Sequence, residues 1–176
     1  MATLSVNSKQ HGNTSLYGSK NKIFPYWQYA YASKNENYTF VELPFTSKSK
    51  FSTIIRINDP QATSSAASQP ILQNSLNRLI LYKNKAGKIK ERLITYIPDK
   101  EYLKNHSDIS HNQIDKLDHD FSGYIEYKNI NGKFLFVLKI VNGKAVKKFK
   151  RAKTNGAPAN GTINSAGHLQ TNDAKL

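Results

Sequence analysis

A chain of 176 residues is long enough to bury a working core in one domain without help from disulfides or metal ions. Its 26 Lys and Arg stand against 12 Asp and Glu, a formal net charge of +14 with a pI near 9.8, so polyanions and anionic surfaces attract it. There is no cysteine, which excludes a disulfide framework, a thiolate zinc site and a cysteine nucleophile, and no apolar run approaches the ~20 residues of a membrane-spanning helix.

Residues 1–22 are polar and unpatterned and read as a flexible N-terminal segment; order is expected from Ile23. The aromatic stretch from Ile23 to Tyr31, around the single Trp27, predicts packing in the core or at a sheet edge. Alternation from Tyr38 to Phe45 predicts a strand, and a second run, Phe51, Thr53, Ile55 and Ile57, predicts its hairpin partner through residues 46–50. Residues 61–69 are small and polar and read as a loop. Two β-branched and aromatic runs, Leu76 to Lys83 and Ile89 to Ile97, flank the Gly-containing connection 84–88 and predict a strong hairpin.

Pro98 closes that hairpin and Asp99 is placed to cap a helix opened by Lys100-Glu101-Tyr102-Leu103. The helix is expected to continue past a break near residues 106–110, with Ser110 and Gln113 as a second capping pair. Tyr102, Leu103, Ile109, Ile114 and Leu117 would then be its sheet-facing stripe. Three further strands follow, Phe121 to Tyr127, Lys133 to Val141 and Lys144 to Lys150. They are joined by residues 128–132 and by Asn142-Gly143, the pair that a type I′ turn favours. Because Phe134 to Ile140 is apolar on both alternating faces, this strand is expected at the heart of the core. The fold class that results is α+β: an antiparallel hairpin sheet with one helix, broken or continuous, on a face. It forms a single domain over 23–153, with a disordered tail or linker over 154–176.

No pattern assigns catalytic, cofactor-binding or metal-ligating residues. His111, Asp115 and His119 share one helical face at i, i+4 and i+8, but the outer two would stand about 12 Å apart along a helix axis, too far to share one ion. Glu42, Glu91 and Glu126 fall on strands and are expected to point outward to solvent. From Tyr127 to Asn172 there is no acidic residue. Lys144, Lys147, Lys148, Lys150, Arg151 and Lys153 are therefore the candidate contacts for a polyanion, while strand-edge protection is the other use of such lysines.

Several stretches resemble the N-terminal module of uncharacterised exported proteins, often lipoproteins, of Bacteroidota. They are Trp27-Gln28-Tyr29-Ala30, Val41-Glu42-Leu43-Pro44-Phe45, Arg78 to Lys83 with Gly87-Lys88, and Leu117 to Tyr124 followed by Asn131-Gly132-Lys133 and Asn142-Gly143-Lys144. The resemblance implies an extracytoplasmic, surface-associated role in the cell envelope with no established catalytic activity and no known site residues. Residues 1–12 contain no apolar export signal, so that placement rests on the resemblance alone. The expected function is a noncatalytic binding or structural module whose partner is a protein or a polyanionic surface. A basic nucleic-acid or polyanion binder is the alternative.

Overall fold

The computed structural model describes residues 22–34, 36, 38–48, 74–151 and 169–172, with Arg151 and the last four as backbone only. The strands in chain order are β1 (Ile23–Pro25), β2 (Tyr31–Lys34), β3 (Tyr38–Leu43), β4 (Phe45–Ser47), β5 (Leu76–Asn84), β6 (Ile89–Pro98), β7 (Gly123–Lys128), β8 (Phe134–Val141), β9 (Lys144–Arg151) and β10 (Leu169–Asn172). The helix α1 (Lys100–Asn105) lies between β6 and β7. Eight strands form one open antiparallel sheet in the order β10-β9-β8-β7-β6-β5-β3-β2, and β1 pairs with β4 as a separate ribbon. The described residues are thus mostly antiparallel sheet, with one short α-helix among them.

The turns form where the sequence supplies their chemistry. In the β5–β6 turn the Asn84 side chain accepts from Lys88 N–H at 2.9 Å, and Gly87 takes φ 77. Asn129 plays the same part before β8, accepting from Asn131 and Lys133 N–H. Asn142 and Gly143 both have positive φ, 49 and 70, as a type I′ turn requires.

Alternation sorts the sheet's side chains onto two covered faces. On one, Phe40, Ile80, Ile94, Tyr96, Ile125 and Ile140 pack against Tyr102 of α1 and against Ile109 and Phe121 of the segment that follows it. On the other, Leu43, Leu79 and Leu93 pack against Ile23 of the β1–β4 ribbon, with Phe45 and Ile130 at its margin. All of the expected stripe, Tyr102, Leu103, Ile109, Ile114 and Leu117, lies in the first of these layers.

The helix is shorter than the sequence suggests. Asp99 caps it as expected, accepting from Tyr102 N–H at 2.9 Å, but it ends at Asn105, and residues 106–122 run as turns and irregular chain. Local side-chain acceptors compete with helical bonds there: Asp108 accepts from both the backbone N–H and the hydroxyl of Ser110, at 2.8 Å each. The Ser110–Gln113 capping pair therefore does not form a helix start. Instead Gln113 and Lys116 pair as an isolated antiparallel bridge.

Further expectations are corrected, and others fall outside the described residues. Phe134 to Ile140 lies inside the sheet by strand order, yet only Val137 and Ile140 of β8 are buried; the most buried strand is β6, where Leu93 through Pro98 are all enclosed. Apolar residues on both faces give burial only where both faces are covered, and the covering layer reaches β8 only around Leu138 and Ile140. Trp27 sits on a single 3-10 turn (Trp27–Tyr29) and is 43% exposed, so of the aromatic stretch Ile23 and Pro25 supply the buried contacts. The strand expected at 51–57 lies outside the described residues, and the hydrogen-bonding edges of β3 are taken by β2 and β5. The tail expected over 154–176 lies mostly outside them too, with β10 inside it, antiparallel to β9.

The strand carboxylates are corrected too. Glu42 and Glu126 are buried, not solvated, because each has partners that alternation alone does not reveal. Glu126 Oε2 meets Lys128 Nζ at 2.7 Å, two residues along the same strand face, with both side chains enclosed. Glu42 accepts from the Tyr96 hydroxyl at 2.8 Å and from Ile114 N–H at 2.9 Å. It thereby ties the irregular segment over the sheet to β3 and β6. Arg78, on the same face, donates to the Ser110 carbonyl at 3.0 Å.

Burial pushes the Glu42 carboxyl above the ordinary carboxylate range, against the lowering effect of the Ile114 and Tyr96 donors. A raised folded value means that its contribution to stability is full below the ordinary carboxylate pKa and declines as pH rises through the folded value. Glu42→Leu strands two buried donors and is expected to lower unfolding free energy by about 2–5 kcal/mol. Glu42→Gln keeps an acceptor for Ile114 and lets the Tyr96 hydroxyl rotate to accept, so it should cost about 1 kcal/mol or less and abolish the decline. Urea midpoints of the three proteins across the pH range check this; a decline of wild-type size in Glu42→Gln contradicts it.

Candidate functional site

Two surfaces collect polar chemistry, one cationic and one mixed. The cationic surface is built by β8 and β9, whose antiparallel register sets Lys139 opposite Lys147 and Leu138 opposite Lys148. The candidate lysines are thus divided between two faces of the sheet. Lys147 lies beside Lys139 with its Nζ 5.4 Å from the Phe149 ring centre, whereas Lys148 turns to the other face, 4.3 Å from the centre of Phe136. Lys144 and Lys150 are exposed, Arg151 ends β9, and Lys153 lies outside the described residues. Since β10 pairs with β9, these lysines do not line a bare strand edge.

Lys139 and Lys147 form a like-charge pair. Residues directly opposite in an antiparallel pair have Cβ atoms about 4.5–5.5 Å apart, and like charges there destabilise the sheet. Among the described residues no carboxylate forms an ion pair with Lys139, Lys144, Lys147 or Lys150. The sequence carries the reason, because no acid occurs between Tyr127 and Asn172.

The mixed surface lies in the covering segment, and it is not the arrangement that helical spacing predicts. His111, Asp115 and His119 do not meet. Asp115 instead reaches the edge strand β2, where its Oδ2 accepts from the Ser33 hydroxyl at 2.5 Å. Asp118 is the hub: its Oδ2 accepts from the Tyr102 hydroxyl at 2.5 Å and stands 2.7 Å from His111 Nε2. The fully buried Asn112 accepts from Asp118 N–H at 2.9 Å and donates to the Tyr102 hydroxyl at 2.9 Å. His106 stacks flat on Tyr102, ring centres 4.1 Å apart, and its Nε2 lies 2.9 Å from Asp120 Oδ2.

These partners hold both carboxyls charged. The Tyr102 hydroxyl, more than any other neighbour, lowers the Asp118 carboxyl below the ordinary range, and the His106 ring does the same for Asp120. Burial and the bond to Asp118 push the Tyr102 phenol up. The cluster abuts the β8–β9 turn: Gly143 N–H donates to the Phe121 carbonyl at 2.8 Å, and a Cβ at Gly143 would stand 2.7 Å from the Asp118 carbonyl oxygen. A shallow, open depression beside this contact is lined by Leu117, His119, Val141, Asn142 and Val146.

Spacing cannot reveal this hub, because its members converge only once residues 106–122 have left the helix. The one signal in the sequence was density, with Asp108, Asp115, Asp118 and Asp120 among the 12 acidic residues of the chain.

Tyr102→Phe removes the bond to Asp118 and leaves the buried Asn112 amide without its main acceptor, so it should destabilise the fold by about 1–3 kcal/mol. A lowered carboxyl stabilises above its ordinary pKa and loses that contribution as pH falls through the folded value. In Tyr102→Phe the Asp118 titration should therefore move up toward the ordinary range, read by carboxyl NMR; an unmoved titration contradicts the assignment of the phenol as its main partner.

Comparison of the chain with protein-family models, curated proteins and solved structures finds no match.

Proposed function

We propose that this chain is a noncatalytic, extracytoplasmic, surface-associated binding module that docks on a polyanionic partner through the β8–β9 side of its sheet. The observation that carries the reading is the Lys139–Lys147 pair, two ammonium groups set opposite each other, with exposed Lys144 and Lys150 on the same strand β9 and no described carboxylate in ion-pair contact. A fold that holds such a pair bears a small cost in isolation. Anionic groups laid across the pair turn the cost into attraction.

The residue type supports a diffuse partner. Lysine is a hydrated point charge on a flexible stem, suited to a surface of distributed negative charge and poorly suited to forked recognition of one phosphate or base edge. Placement outside the cytoplasm is supported by the resemblance of residues 27–30, 41–45, 78–83 with 87–88, 117–124, 131–133 and 142–144 to exported Bacteroidota modules.

A second reading has its own observation. The register sets Tyr124 beside Lys139 and Phe149 beside Val137, so aromatic rings alternate with lysines on one face, as in platforms that stack single-stranded bases. A sulfated polysaccharide and a single-stranded DNA of matched charge separate the two. The first reading expects equal or tighter binding to the polysaccharide; clear preference for the DNA favours the second.

Replacing Lys139, Lys144, Lys147 and Lys150 together by Gln should weaken binding to the sulfated polysaccharide by at least about tenfold near 0.1 M salt and flatten its salt dependence. Fluorescence anisotropy at several salt concentrations measures both. Unchanged affinity in the fourfold variant rejects this surface as the binding site.

A further inference from the structure

We propose that His106, Asp118 and Asp120, where α1 ends and the chain enters β7, form a binding site for one divalent transition-metal cation of the zinc type. One ligand atom from each of the three residues lies within 4.8 Å of the others. Bonds of about 2.0–2.2 Å from a zinc ion to imidazole nitrogen and carboxylate oxygen need donor separations of about 3–4 Å, so small side-chain rotations close the set. His106 lies between the two carboxylates, with Nε2 at 2.9 Å from Asp120 Oδ2 and Nδ1 at 3.9 Å from Asp118 Oδ2; only one ring nitrogen can bind a given ion, so the second carboxylate must rotate to reach it.

A separate observation points to a ligand. Asp120 Oδ1 is enclosed and has no hydrogen-bond partner among the described residues, although the Asp120 side chain as a whole is 40% exposed. A charged oxygen withdrawn from water without a donor is costly, and a bound cation is one of the few ways to satisfy it. The remaining carboxylate surface gives the ion an approach from solvent.

The set is also held in place by residues that would not touch the ion. Tyr102 stacks under the His106 ring and donates to Asp118, and Asn112 accepts from the Asp118 backbone. Partners of this kind fix ligand orientation in metal sites. The mixed nitrogen and oxygen donors favour zinc-like ions over calcium or magnesium, which prefer oxygen-only shells. A local excess of negative charge in a chain of net charge +14 gives a cation a reason to settle here and not elsewhere. The site shares no residue with the β8–β9 docking surface.

The test is titration of the full chain, freed of metal, with zinc chloride by calorimetry, beside His106→Gln, Asp120→Asn and His119→Gln. Expected are one equivalent bound by the wild type, a raised thermal midpoint on loading, at least about tenfold weaker binding in His106→Gln and Asp120→Asn, and unchanged binding in His119→Gln. Far-UV circular dichroism establishes that each variant is folded. Cobalt(II) gives a readout without any substitution: a visible absorption band that appears on binding and is displaced by zinc supports inner-sphere coordination. Absence of stoichiometric binding, binding retained in both ligand variants, equal loss in His119→Gln, or calcium bound more tightly than zinc overturns the proposal.

Discussion

The Glu42 carboxylate, buried between the sheet and its covering segment, is the constraint on which the rest of the architecture depends. A layer that packs on a sheet normally arrives as a helix, which satisfies its own backbone. Here the helix stops at Asn105, and the next seventeen or so residues must find hydrogen-bond partners elsewhere or leave polar groups stranded in the interior. Glu42 supplies one from the sheet, accepting from Ile114 N–H across 72 positions of sequence, and Asn112 and Asp108 supply others from within the segment, accepting from Asp118 and Ser110 N–H. The irregular cover is possible because acidic and amide side chains replace the helical ladder.

Buried polar groups on both faces also fix how the strands line up. Side chains alternate with a period of two, so a one-residue slip of β3 would carry Glu42 away from Tyr96 and onto the face of the β1–β4 ribbon. A slip of β7 would do the same to Glu126 and Lys128, which lie on the face opposite α1 and satisfy each other at 2.7 Å. Breaking such a pair by removing one partner leaves an uncompensated charge indoors, a cost of about 3–5 kcal/mol. Apolar packing tolerates exchange among similar side chains; these pairs penalise any register but one.

How much of this could be read from sequence follows from what kind of signal each feature leaves. Strands β3 and β5 to β9 and the turns between the last five left local ones: Asn84 with Gly87, Asn129 with Gly132 and Asn142 with Gly143 act within a few residues, and the alternation beside them names those strands, whereas β1, β2, β4 and β10 are not among the expected strands. Asp99 as a helix cap was legible for the same reason. The extent of α1 was not, because Asp108 and Ser110 are compatible with a capped second helix and with the turn they form; only docking against Glu42 and Arg78 decides. Alternation assigned Glu42 and Glu126 to a face without saying what covers that face, so their burial was invisible. The His106, Asp118 and Asp120 cluster needs the irregular path of the chain, and helical spacing pointed instead to His111, Asp115 and His119.

The charges of the two surfaces bear on each other. The covering segment concentrates carboxylates held ionised by their neighbours, while β8 and β9 carry lysines without acids, and the two meet where Gly143 packs on the Asp118 carbonyl. An approaching polyanion is drawn to one side of that seam and repelled by the other, so the field selects an orientation before any contact forms. At about 0.1 M salt the screening length is roughly 10 Å, which leaves neighbouring groups across the seam within reach of each other and removes most of the influence of more distant charges. Loading the His106 cluster with a divalent cation offsets part of the repulsive half of this pattern. The two proposed sites are then linked through charge alone, without any movement of the sheet that carries them.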